Sequence, residues 1–155
     1  MSLNIVLYQP EIPHNTGSIG RTCVLTDTKL HLIKPLGFSV DDKMLKRAGL
    51  DYWKDIDLTY YDNFDEFYRI HKDKRIFLST TKADKFHSDV KFEDGDFIMF
   101  GRESSGVPEE INNLFKETAI RVPMIKSTTR SLNLANTASL VLYEALRQIG
   151  YPNMK

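Results

Sequence analysis

Short apolar runs rich in β-branched residues alternate with amphipathic stretches from one end of this chain to the other, and that alternation restricts the fold more than any single residue does. Asn4–Tyr8 (NIVLY) opens the chain as a buried strand bounded by Gln9 and Pro10. Leu30–Ile33, Ile56–Tyr61, Arg75–Thr80, Asp96–Phe100 and Ala119–Val122 read the same way. Between them lie helical patterns. Strands joined through helices run parallel, because a parallel pair needs a long crossover. A parallel sheet has both faces covered. The expected architecture is therefore α/β, a mostly parallel sheet with helices on both faces.

The helices have their own signals. Pro10 and Pro13 suggest an extended loop, and Asn15–Arg21 leads into a helix through about Leu25. Asp41 reads as the cap of a basic helix, Lys43–Ala48, ended by Gly49. Asp62 and Asn63 start a helix with Phe64, Phe67, Tyr68 and His71 on one side. Pro108-Glu109-Glu110 marks a helix start, with proline in the first turn and acids at the positive end of the dipole. The last helix is expected over Ser131–Ile149. With 155 residues, 41% of them hydrophobic, the chain can bury one core and is too short for two ordinary domains, so residues 1–155 read as one domain.

Charge excludes one class of partner surface. Lys plus Arg and Asp plus Glu are 21 each, so no global field attracts a polyanion, and a nucleic-acid surface has to be a local patch. A single cysteine, Cys23, rules out an internal disulfide. The histidines have no metal-ligand spacing, no apolar run approaches a membrane span, and the N-terminus lacks the order of a signal peptide. A cytoplasmic protein with no metal and no membrane partner is the expectation.

Three segments of unusual composition fall at the carboxyl ends of strands, where open α/β sheets bind ligands. In Asn15–Arg21, Gly17 and Gly20 suit a phosphate-cradling turn, but neither the P-loop nor the dinucleotide pattern is present. For the glycines alone, tight helix-on-sheet packing is the stronger reading. Arg21 suits bidentate phosphate recognition. In Gly101–Pro108, Glu103 and Ser104 can bind a hydroxyl or amine, or Glu103 can simply pair with an arginine; the spacing excludes a serine-hydrolase elbow. In Pro123–Asn133, Ser131 and Asn133 can be helix caps. They can also join Arg130 in a polar site. Lys43, Lys46, Arg47 and Lys54, interleaved with Tyr52 and Trp53, form either a local RNA-contacting patch or a solvated helix face diluted by neighbouring aspartates.

Taken together, N-x-G-x-x-x-R at Asn15–Arg21, F-G-x-E-x-x-G-x-P at Phe100–Pro108, and P-M followed by S-L-N-L over Pro123–Leu134 resemble the three ordered motifs of the SPOUT methyltransferases. The resemblance is to the SpoU branch, and within it to the short, single-domain tRNA wobble-ribose 2'-O-methyltransferases (the TrmL or YibK type). It covers essentially the whole chain, with IVLYQPEIPHNTG, RAGLDYW and YEALRQIGYP in support. Ser18 stands where the family often has asparagine.

That resemblance implies a C-terminal deep trefoil knot, an exception to the rule against knotted chains. It implies S-adenosylmethionine as methyl donor, with S-adenosylhomocysteine as product, held by Ser79, Gly101, Val122, Met124, Ser131 and Leu132. Arg21, Asn15, Glu103, Ser131 and Asn133 take the catalytic roles. Arg21, Lys43, Lys46, Arg47, Tyr52 and Arg130 face the RNA. The partner implied is a tRNA anticodon stem-loop, methylated on the ribose of a cytidine or modified uridine at the wobble position, and the working form is a homodimer through the last helix, including Tyr143. Alternatives are another tRNA or ribosomal RNA site, a knotted RNA-binding protein without turnover, and a nucleotide-binding α/β module.

Overall fold

The computed structural model describes residues 1–40 and 52–155. The basic helix expected over Lys43–Ala48 lies outside the described residues. The sheet has seven strands: β1 (Asn4–Tyr8), β2 (Lys29–Ile33), β3 (Leu58–Tyr61), β4 (Ile76–Ser79), β5 (Lys85–Phe86), β6 (Phe97–Phe100) and β7 (Ala119–Arg121). Their order is β3-β2-β1-β6-β4-β7-β5, and every ladder is parallel. The central strands are apolar throughout because both of their faces are covered: β1 and β6 are buried at every position.

Alternation along β1 sorts the core into two layers. Ile5 and Leu7 point to a layer shared with Ile19 and Cys23 of helix α1 (Pro13–Thr26) and with Ala138, Val141, Leu142 and Ala145 of helix α4 (Leu134–Gln148). Val6 and Tyr8 point to the other, formed with Phe67 of helix α2 (Phe64–His71) and Ile111 of helix α3 (Glu109–Leu114). Asn63 caps α2, accepting from the Glu66 amide at 2.8 Å, while Glu66 accepts from the Asp62 amide at 2.8 Å. No helix among the described residues is long and apolar enough to cross a membrane.

The structure corrects several element boundaries. Helix α1 begins at Pro13, so Asn15–Gly20 is helix rather than a glycine-rich turn. Pro13 occupies the first turn, where its missing N–H costs nothing. A Cβ on Gly20 would stand 2.7 Å from Ile56 Cδ1 and 3.2 Å from the Trp53 ring, so that glycine serves packing. The last helix begins at Leu134, and Ser131–Asn133 precede it as non-helical chain. Strand β5 has no counterpart in the sequence reading, because both of its residues are exposed and carry no apolar alternation.

A chain of polar groups is buried under α2. The Asn4 amide donates to the Ser2 and Gly95 carbonyls, leaving its Oδ1 to accept from His31 Nε2 at 2.9 Å. His31 Nδ1 then accepts from the Tyr61 hydroxyl at 2.8 Å, and the Tyr61 oxygen accepts from His71 Nε2 at 2.9 Å. In this arrangement His31 is neutral, its Nε2 donating and its Nδ1 accepting. Burial, with the charges of His71 and Lys29 adding to it, pushes the His31 imidazole down to about 3. An unfolded chain therefore binds a proton near pH 6.5 that the folded chain refuses. Stability from this group is complete above 6.5 and is lost as the pH falls from 6.5 towards 3. The loss approaches about 1.4 kcal/mol per pH unit in that window. Thermal unfolding across pH 4–7 checks this: the midpoint is expected to fall with acidification in the natural protein and more shallowly in His31→Gln.

Candidate functional site

The carboxyl ends of β4, β6 and β7 open into a cavity of about 570 Å³. Its wall comes from segments far apart in the chain: Asn15 of α1, Ser79 to Lys82 after β4, Gly101 to Val107 after β6, and Arg121 to Met124 with Ser131 to Leu134 after β7. All six residues to which the sequence resemblance gave donor contacts, Ser79, Gly101, Val122, Met124, Ser131 and Leu132, line it. Leu78, Phe100, Val122, Met124 and Leu132 supply apolar surface, and polar groups come from several segments, Asn15 and Glu103 forming one polar side among them.

That polar side is tied together by one carboxylate. Glu103 Oε1 accepts from the Glu11 amide and Oε2 from the Ile12 amide, both at 2.9 Å, and Oε2 also accepts from Asn15 Nδ2 at 3.3 Å. Asn15 Oδ1 accepts from Asn133 Nδ2 at 3.0 Å, and Asn133 Oδ1 accepts from the Asn136 amide at 3.2 Å, capping α4. Thus Glu103, Asn15 and Asn133 form a relay from the β6 loop through the start of α1 to the start of α4. Among the described residues Glu103 pairs with backbone and amide donors at a helix start, and no arginine pairs with it.

The loop carrying Glu103 is itself closed. Arg102 and Gly106 exchange backbone hydrogen bonds at 3.0 Å, and Gly106 has φ +65°. A Cβ on Gly101 would lie 2.6 Å from the Gly106 carbonyl carbon, so only glycine allows the two limbs to approach. Arg102 donates to the Gly106 carbonyl at 3.0 Å and to Gln9 Oε1 at 3.4 Å, and its guanidinium lies 5.3 Å from the Tyr8 ring centroid.

Arg21 is not in this cavity. In a helix, residues six apart project from different sides, so Arg21 leaves α1 on another face from Asn15. Its guanidinium is exposed and lies 5.8 Å from the Tyr52 ring centroid. Tyr52 donates from its hydroxyl to the Gly17 carbonyl, Trp53 packs on Gly20 and lies near Tyr60, and Lys34 Nζ lies 5.4 Å from the Tyr60 ring. Three aromatic rings flanked by two cations thus form a strip beside α1. Lys34 and Tyr60 were missed in the sequence because one follows β2 and the other lies in β3, 26 residues apart in the chain. Lys43, Lys46 and Arg47 lie outside the described residues. Arg130 is exposed in the loop before α4, its amide donating to Thr128 Oγ1 at 3.0 Å.

Comparison with known proteins accords with this geometry. The model of the SpoU rRNA Methylase family matches residues 2–143. The chain belongs to that family. The tRNA (cytidine(34)-2'-O)-methyltransferase of Escherichia coli strain K12 is 49% identical over 151 residues, covering 97% of this chain and 96% of its own length. A solved structure from work on 2-OH methylation of C/U34 on tRNA is 42% identical, with a TM-score of 0.87 over 95% of both chains. A SpoU methyltransferase of Streptomyces viridochromogenes in complex with AdoMet shares the fold, with a TM-score of 0.77 at 22% identity over 95% of this chain and 60% of its own.

In this SpoU-family chain the carboxylate of Glu103 accepts from three donors at the start of α1. Glu103→Gln turns an NH₂ towards N–H donors at the start of α1. A loss of about 1–3 kcal/mol in urea unfolding is expected, with faster amide exchange at Ile12. Unchanged stability would mean that the carboxylate does not anchor the helix.

Proposed function

We propose that this protein methylates the ribose 2'-hydroxyl at the wobble position of tRNA, on cytidine or a modified uridine, using S-adenosylmethionine. The observation that carries this reading is the meeting, around one cavity, of Asn15, the Gly101–Gly106 loop and the Val122–Asn133 segment. The names of the close relatives support the substrate. The donor fits this wall, whose apolar side chains suit an adenine and whose backbone-rich loops suit its polar edges. When bound, S-adenosylmethionine supplies an electrophilic methyl group.

The residues divide the remaining work. A ribose hydroxyl has to lose its proton and be held in line with the methyl group, which calls for orientation and a proton acceptor. Asn15 and Asn133 position, Glu103 holds Asn15, and Ser131 and Leu132 shape the cavity where the last loop enters α4. We assign Arg21, with Tyr52, Trp53, Tyr60 and Lys34, to the RNA: the rings offer stacking faces and the cations offer phosphate contacts. Arg130 extends the same role to the loop before α4. Arg21 orients phosphate and hydroxyl through its planar set of N–H donors.

Two further features belong to this reading. A C-terminal trefoil knot is supported by the strand order, since β7 lies beside β4 only after the chain has visited β5 and β6. A homodimer through α4 is supported by the exposure of Leu140 and Tyr143 on that helix and of Leu25 on α1, at 46%, 41% and 66%. With tRNA as its partner, the protein acts in the cytoplasm.

Transfer of radiolabelled methyl groups into bulk tRNA, followed by nuclease digestion and nucleoside analysis, tests the proposal. Label in 2'-O-methylated nucleosides at the wobble position is expected; label at another position would replace the substrate, and absence of donor binding would overturn the reading. Arg21→Ala should abolish transfer while leaving S-adenosylhomocysteine binding intact. Lys34→Ala should lower the slope of log affinity for the stem-loop against log salt by about one.

A further inference from the structure

Glu11, in the PEIP sequence before α1, has no part in the roles assigned above, yet it binds the Gly101–Gly106 loop through both its backbone and its side chain. Its carboxylate accepts from the Ser104 amide at 2.9 Å and from the Ser104 hydroxyl at 2.8 and 3.0 Å. Its own amide donates to Glu103 Oε1 at 2.9 Å. The two segments therefore hold each other reciprocally, each supplying a carboxylate to the other's backbone. Those Ser104 bonds, with the Arg102 charge adding to them, hold the Glu11 carboxyl below the usual range. The preceding residue is fixed as well: the Gly37 amide donates to the Pro10 carbonyl at 2.9 Å, and a Cβ on Gly37 would stand 2.8 Å from Glu11 Cα. Glu11 thus sits on a backbone held on both sides, at the Pro10 carbonyl and at its own amide, facing a loop that is closed on itself and tethered elsewhere through Glu103 and Arg102.

We propose that Glu11 is a positioning residue: its carboxylate clasps Ser104 and so sets the Gly101–Gly106 loop as one wall of the cavity. The proposal rests on the reading of that cavity as the methyl-donor site. It concerns the hydrogen-bond acceptor and not the charge, because every bond runs from Ser104 to oxygen. A glutamine whose amide oxygen takes the place of Oε1 keeps the bonds from the Ser104 amide and, at that oxygen, from its hydroxyl.

The experiment measures S-adenosylhomocysteine binding by titration of the full chain, alongside hydrogen exchange at the Ser104 amide in the free protein. One lost clasp of this kind corresponds to roughly a tenfold change in affinity. Glu11→Ala should weaken binding by about that factor, and Glu11→Gln should stay within about twofold of the natural protein. Ser104→Ala combined with Glu11→Ala should be no worse than Glu11→Ala alone, since both remove one interaction. Faster exchange at Ser104 in Glu11→Ala but not in Glu11→Gln is the matching result in the free protein. Multiplicative effects in the double variant, or a glutamine variant as weak as alanine, would overturn the proposal. If the natural protein binds no S-adenosylhomocysteine, the donor reading falls, and the exchange measurement alone decides: equal rates at Ser104 in all variants would remove the clasp as well.

Discussion

The arrangement of the site depends on a carboxylate at the start of a helix that cannot cap itself. Helix α1 has Ile12 at its cap position and no acid in its first turn, so its free amides and the positive end of its dipole lack any local partner. Glu103 supplies that partner from a loop far along the chain. The same carboxylate reaches Asn15, and Asn15 reaches the cap of α4. Moving any one of the β6 loop, α1 and α4 therefore breaks a bond to another. The sequence separations of 88 and 118 residues mean that these bonds can form only once the sheet has brought the segments together. The site is a product of the tertiary fold and not of any local motif.

The sheet places the bonds where they are useful. β1 and β6 are hydrogen-bonded neighbours, in register from Asn4 with Phe97 to Leu7 with Phe100, so the chain leaves both strands at the same level. The β1 exit carries Glu11 and Ile12, the β6 exit carries Glu103 and Ser104, and the two loops meet directly above the strand ends. β7, one strand beyond β4, delivers Val122 and Met124 to the same level. On the opposite layer, the Asn4, His31, Tyr61 and His71 chain is satisfied internally and shares no group with the cavity. Its acid sensitivity belongs to stability alone.

Much of this was legible in the residues themselves. The buried strands announced themselves as apolar runs, and Asn63 announced α2. The start of α1 was hidden because Pro13, Gly17 and Gly20 are residues that ordinarily argue against a helix. Only the packing of Trp53 and Ile56 on Gly20 shows why a poor helix former stands there. Six positions mean adjacency in a tight turn, whereas in a helix they carry Arg21 about 120° around the axis from Asn15. At the start of α4, Ser131 and Asn133 were both chemically able to cap, and the Asn136 bond decides for Asn133. Glu11 left a faint signal, an acid just ahead of a helix with no cap of its own, but its partner is 93 residues away.

Helix α1 connects the two surfaces that the proposed reaction needs. Asn15, near its start, faces the cavity, while Gly17, Gly20 and Arg21 meet the aromatic strip. A rigid helix between them sets their separation, so a nucleotide lying on the strip would have a fixed relation to a donor in the cavity. The extended residues before the helix reinforce this, because Pro10 holds the loop that follows Lys34 while Glu11 holds the loop that walls the cavity. Precision in the site then comes from bonds to a single element.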